Sequence, residues 1–473
     1  MGSARSFRYF TSTAPLLTAF WSRWFCLFAA AITLLSTTAL TSGLELQQVV
    51  IISRHGSRGF LTKDHTTLQE TADSPLTIRG MDQMYRAGQY VRQLYNSTTT
   101  SFLSEGYNGS EVYVRSSDYQ RTLISAQSFL LGLYPPREQT LTNYAGVFKA
   151  PYDIQQVPIH TVPVREDQLL RGWLRCPTIQ NRISEFYKSE TFKKKERDNA
   201  DFLKTLESIT GMSDIDLKDF YNVYDFIHLH RVYGKMYLNL TEEQWNKVVD
   251  LADWLEYHKY KKEMVESMGA GLLVNDIAQN FINTTKNRRK AKLLYYSAHY
   301  PTIVSLFSVL GVNQINKTLQ TIPYYASLVF IELLKGDNQD YYVRLAFRNG
   351  LENDTKDSFQ YYAIPGCDRK ACPLKTFNKL LGSLEVRNIE AWCQMCNNND
   401  LDACEVGYVY KRKLAMTAVG GFFVRVFVTT IATILMVGCW FFCLKKRCLP
   451  GDNYRPRRGL PDLEHRGPLA GSI

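Results

Sequence analysis

The chain has 473 residues, 45% hydrophobic and 21% charged, enough for one large domain with an insertion or for two to three average domains, and this composition excludes a largely disordered chain. Its net charge of +11 sits at the ends: residues 1–43, 411–444 and 445–473 carry +3, +4 and +4, so residues 44–410 are neutral and a nucleic-acid-binding role loses its support.

Residues 1–43 combine scattered arginines, an apolar stretch from Trp24 to Leu35 and small residues up to Gly43, the layout of a signal peptide cleaved around residues 39–43. Leu46–Ser53 is a β-branched run that predicts a buried strand, and it ends in Arg54-His55-Gly56-Ser57-Arg58. Helical spacing follows over Thr77–Leu94. Glu111–Arg115 reads as a second strand, followed by a helix over Gln120–Leu133. Residues 181–285 are long, charged and helical, and read as a cap inserted over the sheet. Ala291–Ala298 predicts a third strand, ending at His299-Tyr300-Pro301, with a helix over Thr302–Leu310. Ser327–Leu334 and Tyr341–Arg348 flank Lys335-Gly336-Asp337-Asn338 and predict a hairpin.

Val426–Leu444 is an uncharged apolar run of 19 residues followed at once by Lys445, Lys446 and Arg447, which predicts a transmembrane helix. With a cleaved signal, residues 44–410 are lumenal or extracellular and residues 445–473 form a cytoplasmic tail: a single-pass type I membrane protein at the cell surface or in endosomal or lysosomal membranes. Six sequons, at Asn96, Asn108, Asn239, Asn283, Asn316 and Asn353, fall in the lumenal segment. So do six cysteines, Cys176, Cys367, Cys372, Cys393, Cys396 and Cys404, an even number that predicts three disulfides among 15 arrangements. Cys393-x-x-Cys396 has neither a second pair at zinc-finger spacing nor flanking histidines.

Strands alternating with helices predict an α/β fold, a mainly parallel sheet flanked by helices with a helical cap, plus the one C-terminal transmembrane helix. In such sheets ligands bind beyond the carboxyl ends of the strands. Arg54 and His55, Arg115, and His299 each fall at such an end. Arginine holds phosphate oxygens bidentately and stays charged, while an imidazole can attack phosphorus and be released by water.

These residues resemble a known family. RHGSR at 54–58 is similar to the signature of the histidine acid phosphatases, the second branch of the histidine phosphatase superfamily. SPLTIRGMDQMYRAGQYVRQLY at 74–95, VYVRSSDYQRTLISAQSFLLGLYPP at 112–136, VPIHTVPVREDQLL at 157–170, YYSAHYPTIVSLFSVLG at 295–311 and PGCDRKACPL at 365–374 follow in family order. The layout of signal, ectodomain, single span and short tail resembles the membrane-bound acid phosphatases of the family, including the trypanosomatid type. The resemblance implies a cofactor-free and metal-free phosphomonoesterase, often a homodimer. His55 is then the phosphorylated nucleophile; Arg54, Arg58 and Arg115 bind the phosphoryl oxygens, and His299 adds a hydrogen bond. Asp118 and Arg121 brace the site. It also implies a Cys367–Cys372 loop and a bond from Cys176 to Cys393, Cys396 or Cys404.

Two positions depart from the pattern. Gly59-Phe60 replaces a proline after the second signature arginine. Tyr300 stands where the family has the aspartate that protonates the leaving group, and Pro301 where a phytase-like variant has Glu. A phenol with a pKa of about 10 is poorly matched to acid catalysis in acidic surroundings, so activity is expected to be weakened, with Asp64 as a substitute carboxylate. The alternative is an impaired pseudophosphatase that binds phosphate-bearing ligands or serves as a trafficking receptor.

Overall fold

The computed structural model describes residues 43–70, 73–96, 101–136, 154–234, 238–288, 291–350, 359–367 and 371–446. The expected signal peptide, but for Gly43, and nearly all of the expected cytoplasmic tail lie outside them. The chain separates into two units, Met1–Glu405 and Val406–Ile473.

In the first unit a strand β1 (Glu45–Arg54) leads to helix α1 (Ile78–Tyr95), then β2 (Val112–Ser116) and helix α2 (Gln120–Leu133). Helices α3 (Phe220–Tyr233) and α4 (Glu242–Tyr260) belong to the helical stretch that follows, which ends with α5 (Gly271–Thr285). Then come β3 (Leu293–Ala298), helix α6 (Tyr300–Leu310), the hairpin β4 (Leu328–Lys335) and β5 (Tyr341–Arg348), and the short strands β6 (Phe359–Tyr362) and β7 (Ala371–Pro373).

The seven strands form one sheet in the order β2-β3-β1-β4-β5-β6, with β7 also on β5. Only β1–β3 and β2–β3 pair parallel; β1–β4, β4–β5, β5–β6 and β5–β7 are antiparallel. The sheet is therefore mixed, which corrects the expectation of a mainly parallel one. The physical reason lies in the connections. Helical crossovers return the chain parallel as far as β3; after α6 it enters β4 against β1, and the tight turn at Gly336 makes β5 antiparallel to β4.

Alternation along β1 divides the core. Val49 and Ile51 pack with Met84, Val91 and Phe129 of α1 and α2, whereas Val50 and Ile52 pack with Val274, Ile277, Ile303 and Leu306 of α5 and α6. The result is a helix–sheet–helix sandwich. Helices between Pro177 and Val265 share a separate apolar core, with Ile183, Leu206, Ile227 and Leu255 fully buried. That core is the cap, and α5 lies outside it, on the sheet.

Three disulfides are present: Cys176–Cys396, Cys367–Cys372 and Cys393–Cys404. Cys176 and Cys396 are 220 residues apart and tie the start of the cap to the helix Ile389–Cys396. In the second unit, within the helix Asp402–Lys446, the window Val424–Phe441 has a mean hydropathy of 1.9 and none of it is buried, so it is long and apolar enough to cross a membrane by length and composition.

One close approach positions the loop after β1. A Cβ on Gly56 would lie 2.2 Å from the Gly80 carbonyl oxygen, and one on Gly80 would lie 2.1 Å from that of Ser57. Only a pair of glycines lets the loop cross the first turn of α1. Gly382 at the end of its helix has nothing within 4 Å of the same position. Gly80→Ala is expected to cost about 2 kcal/mol or more, in the range of overpacked cores, and Gly382→Ala to cost nothing. Thermal unfolding of the full-length chain in detergent checks this; a Gly80→Ala midpoint equal to wild type would contradict the close contact.

Candidate active site

Arg54 pairs with Ala298 in the β1–β3 register, and the His55 amide donates to the Ala298 carbonyl at 3.1 Å. His299 follows that residue directly. The two imidazoles therefore emerge side by side beyond the carboxyl ends of two parallel strands, with ring centroids 5.6 Å apart and planes at 73°. Both are 3% exposed. The His55 Nδ1 lies 2.8 Å from the Gly56 carbonyl oxygen, so it must donate, which leaves the Nε2 lone pair free. His299 is held through Nε2 by the Ser117 hydroxyl at 2.7 Å, and Ser117 stands at the end of β2.

Arg54 and Arg58 come from the same loop as His55. Arg54 donates from Nη1 to the Pro323 carbonyl at 2.5 Å and stacks over the Tyr325 ring at 3.9 Å. Arg58 forms a bidentate pair with Asp225 of α3, at 2.8 and 3.1 Å, which locks the signature loop to the cap. Arg121, in the first turn of α2, is fully buried and bonds Glu70 at 2.6 Å and Asp73 at 3.0 Å.

Arg115 stands near the carboxyl end of β2. Period-two alternation puts it on the face of β2 opposite Val112 and Val114, where it binds Asp167 at 2.7 Å. Arg121, expected only to brace the site, joins Arg54 and Arg58 among the charges that act on His55. The sequence carried a signal for it: a side chain in the first turn of a helix that directly follows a strand lies at that strand's carboxyl end. Asp225, Glu70 and Arg171, which also contribute to the site, lie in segments whose approach to the signature loop no local pattern announces. Asp118 is exposed. Asp64 is exposed as well; its carboxylate accepts from the Thr66 and Thr67 amides and the Thr67 hydroxyl, closing its own turn rather than facing the site.

Burial holds the His55 pKa well below its ordinary value, and Arg121, Arg54 and Arg58 depress it further. Burial acts likewise on His299, with Arg121 and Arg171 adding to it. Both imidazoles are thus neutral well into acid. Tyr300 points into the cap. Its hydroxyl receives a hydrogen bond from Lys63 and donates one to Glu256 at 2.5 Å, and burial together with Glu256 drives its pKa well above the ordinary value. Glu256, which burial alone would push up, is held low by Lys259 and Lys63. Glu70 is likewise kept ionised: Arg121 and Arg171 outweigh its burial.

A nucleophile-capable imidazole inside an arginine cluster is a phosphate site by its chemistry. Residues 45–348 match the model of the histidine phosphatase superfamily (branch 2). The chain belongs to this superfamily. Among its relatives, rat prostatic acid phosphatase is 31% identical over 75% of this chain and 91% of that one, and human lysosomal acid phosphatase is 30% identical over 76% and 82%. The resemblance is shown at the level of the family. Among solved structures, Citrobacter braakii phytase (19% identity, TM-score 0.54) matches over 73% of this chain and 99% of that one, and the Hafnia alvei phytase apo form (17%, 0.55) over 73% and 98%; both agree in fold. Family membership marks the protein as a phosphatase-class hydrolase.

The titration has a definite sign. An unfolded histidine has a pKa of about 6.5, so below that pH the unfolded chain binds protons that the folded His55 and His299 refuse. Their contribution to stability is complete above about pH 6.5 and is lost as pH falls from there toward the folded values. Imidazole NMR at about pH 5.5 is expected to find both rings neutral, and His55→Asn is expected to flatten the fall of the thermal midpoint below about pH 6.5. A His55 ring titrating near 6.5 would contradict the buried arrangement.

Proposed function

We propose that the protein is a single-pass membrane acid phosphatase that hydrolyses phosphomonoesters through a phosphohistidine on His55 Nε2. The observation that carries this reading is the buried, neutral His55, its Nδ1 fixed by the Gly56 carbonyl and its Nε2 free among Arg54, Arg58 and Arg121. In the first step the N–P bond forms and the P–O bond to the leaving group breaks, with the arginines balancing the charge on the phosphoryl oxygens. In the second, water attacks phosphorus, the N–P electron pair returns to the imidazole and a proton passes to solvent.

The leaving group receives no evident proton donor. The Tyr300 proton is committed to Glu256, and Glu70 is ionised. General acid catalysis contributes about 10²–10⁴-fold, so alkyl phosphates should be cleaved slowly and aryl phosphates, with their better leaving groups, should suffer least.

The Val424–Phe441 window, the basic flank after Leu444, and the apolar N-terminal segment support a membrane anchor with a lumenal catalytic domain. Asn108 and Asn239 are exposed, while Asn96, Asn283 and Asn316 are half-buried; all five suit glycosylation, and Asn353 lies outside the described residues. The lysosomal relative, with the neutral histidines at acidic pH, favours an endosomal or lysosomal membrane over the cell surface.

The test uses the full-length chain in detergent with p-nitrophenyl phosphate between pH 4 and 7. His55→Ala is expected to lose about 10³-fold or more of the turnover and to trap no phosphate on histidine. Tyr300→Asp is expected to raise alkyl phosphate hydrolysis by up to about 10²-fold, and aryl phosphate hydrolysis by less. A folded wild type that binds phosphate without turnover or trapping would replace this reading with the phosphate-binding receptor.

A further inference from the structure

The site holds one cation that no step above uses. Arg171, at the end of the short helix Gln168–Arg171, is 2% exposed, and its Nε, Nη1 and Nη2 all lack a hydrogen-bond partner. Other arginines of the site are committed: Arg58 to Asp225, Arg121 to Glu70 and Asp73, and Arg54 to the Pro323 carbonyl. A carboxylate within ion-pair reach of Arg171, Glu70, is 3.9 Å away and already bound by Arg121 at 2.6 Å. A buried guanidinium without hydrogen bonds is strongly unfavourable, and the group that best satisfies it is an anion with several oxygens, bound bidentately.

Its position tells which anion. Arg121 and Arg171 both lie over the Tyr119 ring, at 4.3 and 4.5 Å, and that ring meets His299 edge-on with centroids 5.4 Å apart. Arg171 thus shares the Tyr119 ring with Arg121 and borders the His299 side of the pocket. The charges that weigh most on His55 are Arg121, Arg54 and Arg58; on His299 Arg171 follows Arg121. In the reading above Arg54, Arg58 and Arg121 serve the phosphorus to be attacked; Arg171, with no hydrogen bond of its own, is left for a second phosphoryl group.

The missing acid points the same way. An alcohol leaves as an alkoxide, and with a pKa near that of water, about 15.7, it needs a proton. A leaving phosphate is a far weaker base than an alkoxide, and needs no proton but does need a cation. A site with the Tyr300 hydroxyl turned into the cap and Arg171 without a hydrogen bond has the complement of groups that a phosphate leaving group requires.

We propose that Arg171 holds the leaving phosphate of a phosphoanhydride, so that the site cleaves diphosphates, with inorganic pyrophosphate the simplest, in preference to alkyl phosphomonoesters. This rests on the nucleophilic role of His55 proposed above. The His55 Nε2 attacks one phosphorus, the P–O bond to the bridging oxygen breaks, and its electron pair stays on that oxygen as the second phosphate departs against Arg171. Water then cleaves the N–P bond, giving two phosphates from one diphosphate and one water.

The experiment compares pyrophosphate, p-nitrophenyl phosphate and β-glycerophosphate on the full-length chain in detergent, with EDTA present and His55→Ala as blank. Wild type is expected to prefer pyrophosphate to β-glycerophosphate by tenfold or more in kcat/KM. In Arg171→Gln the ratio of kcat/KM for pyrophosphate to that for p-nitrophenyl phosphate is expected to fall at least tenfold, and Arg171→Lys, which keeps the charge in the event that the glutamine variant does not fold, to recover part of it. Cleavage of p-nitrophenyl phosphate without cleavage of pyrophosphate overturns this inference alone. An unchanged ratio in either folded variant overturns it too. Failure of the wild type on all three substrates overturns the hydrolytic reading beneath it.

Discussion

The parallel pairing of β1 with β3 is the constraint from which the site follows. Arg54 opposite Ala298 means that the next residue of each strand, His55 and His299, leaves the sheet at the same level and on the same edge. A slip of one residue would turn one of the two imidazoles to the other face of the sheet. The register is held because β1 and β3 are buried on both sides: Val50 and Ile52 against α5 and α6, Val49 and Ile51 against α1 and α2. Each such side chain contributes about 1.5–3 kcal/mol on burial. The apolar sandwich thus fixes the distance between two polar groups that it never touches.

The polar shell is held by charge balance rather than by packing. Arginines gathered around two neutral imidazoles would repel one another, and the cap and the loop before α1 supply the counter-charges. Asp225 reaches Arg58 from α3, while Glu70 and Asp73 reach Arg121 from the loop. Removing one partner of such a buried pair typically costs about 3–5 kcal/mol, because the remaining charge is left uncompensated. The Arg58–Asp225 pair consequently makes cap and sheet one structural unit at the site, although their apolar cores are separate. Arg171 breaks this pattern, which is why its chemistry is informative.

Tyr300 shows how a single substitution moves a residue from one environment to another. A carboxylate following His299 would be drawn to the arginines, whereas the phenol ring gains more by stacking on Tyr221, with centroids 5.3 Å apart, and by completing the Lys63–Glu256 network beneath the cap. The phenol hydroxyl is turned to Lys63 and Glu256, although the ring still lies 5.2 Å from the Arg54 guanidinium.

Local pattern was enough to locate β1, β2, β3 and α2, because β-branched runs and helical spacing are near-neighbour properties. The motif at 54–58 and the His299 segment gave the histidine pair, since strand carboxyl ends form one edge of a partly parallel sheet. The resemblance to a known family left Cys176 three partners, and Cys396 is the one that packing brings near. Strand direction in the second half of the sheet, the part of Arg121 in the cluster around His55, and the place of Tyr300 were decided by tertiary structure. Each depends on which face of an element meets which neighbour, and a linear sequence does not specify contacts between residues a hundred or more positions apart. Composition and local order determined that this protein is an α/β chain with histidines and arginines at one sheet edge and a helix long and apolar enough to cross a membrane; the packing of cap and loop on sheet decided which carboxylates pair with those arginines.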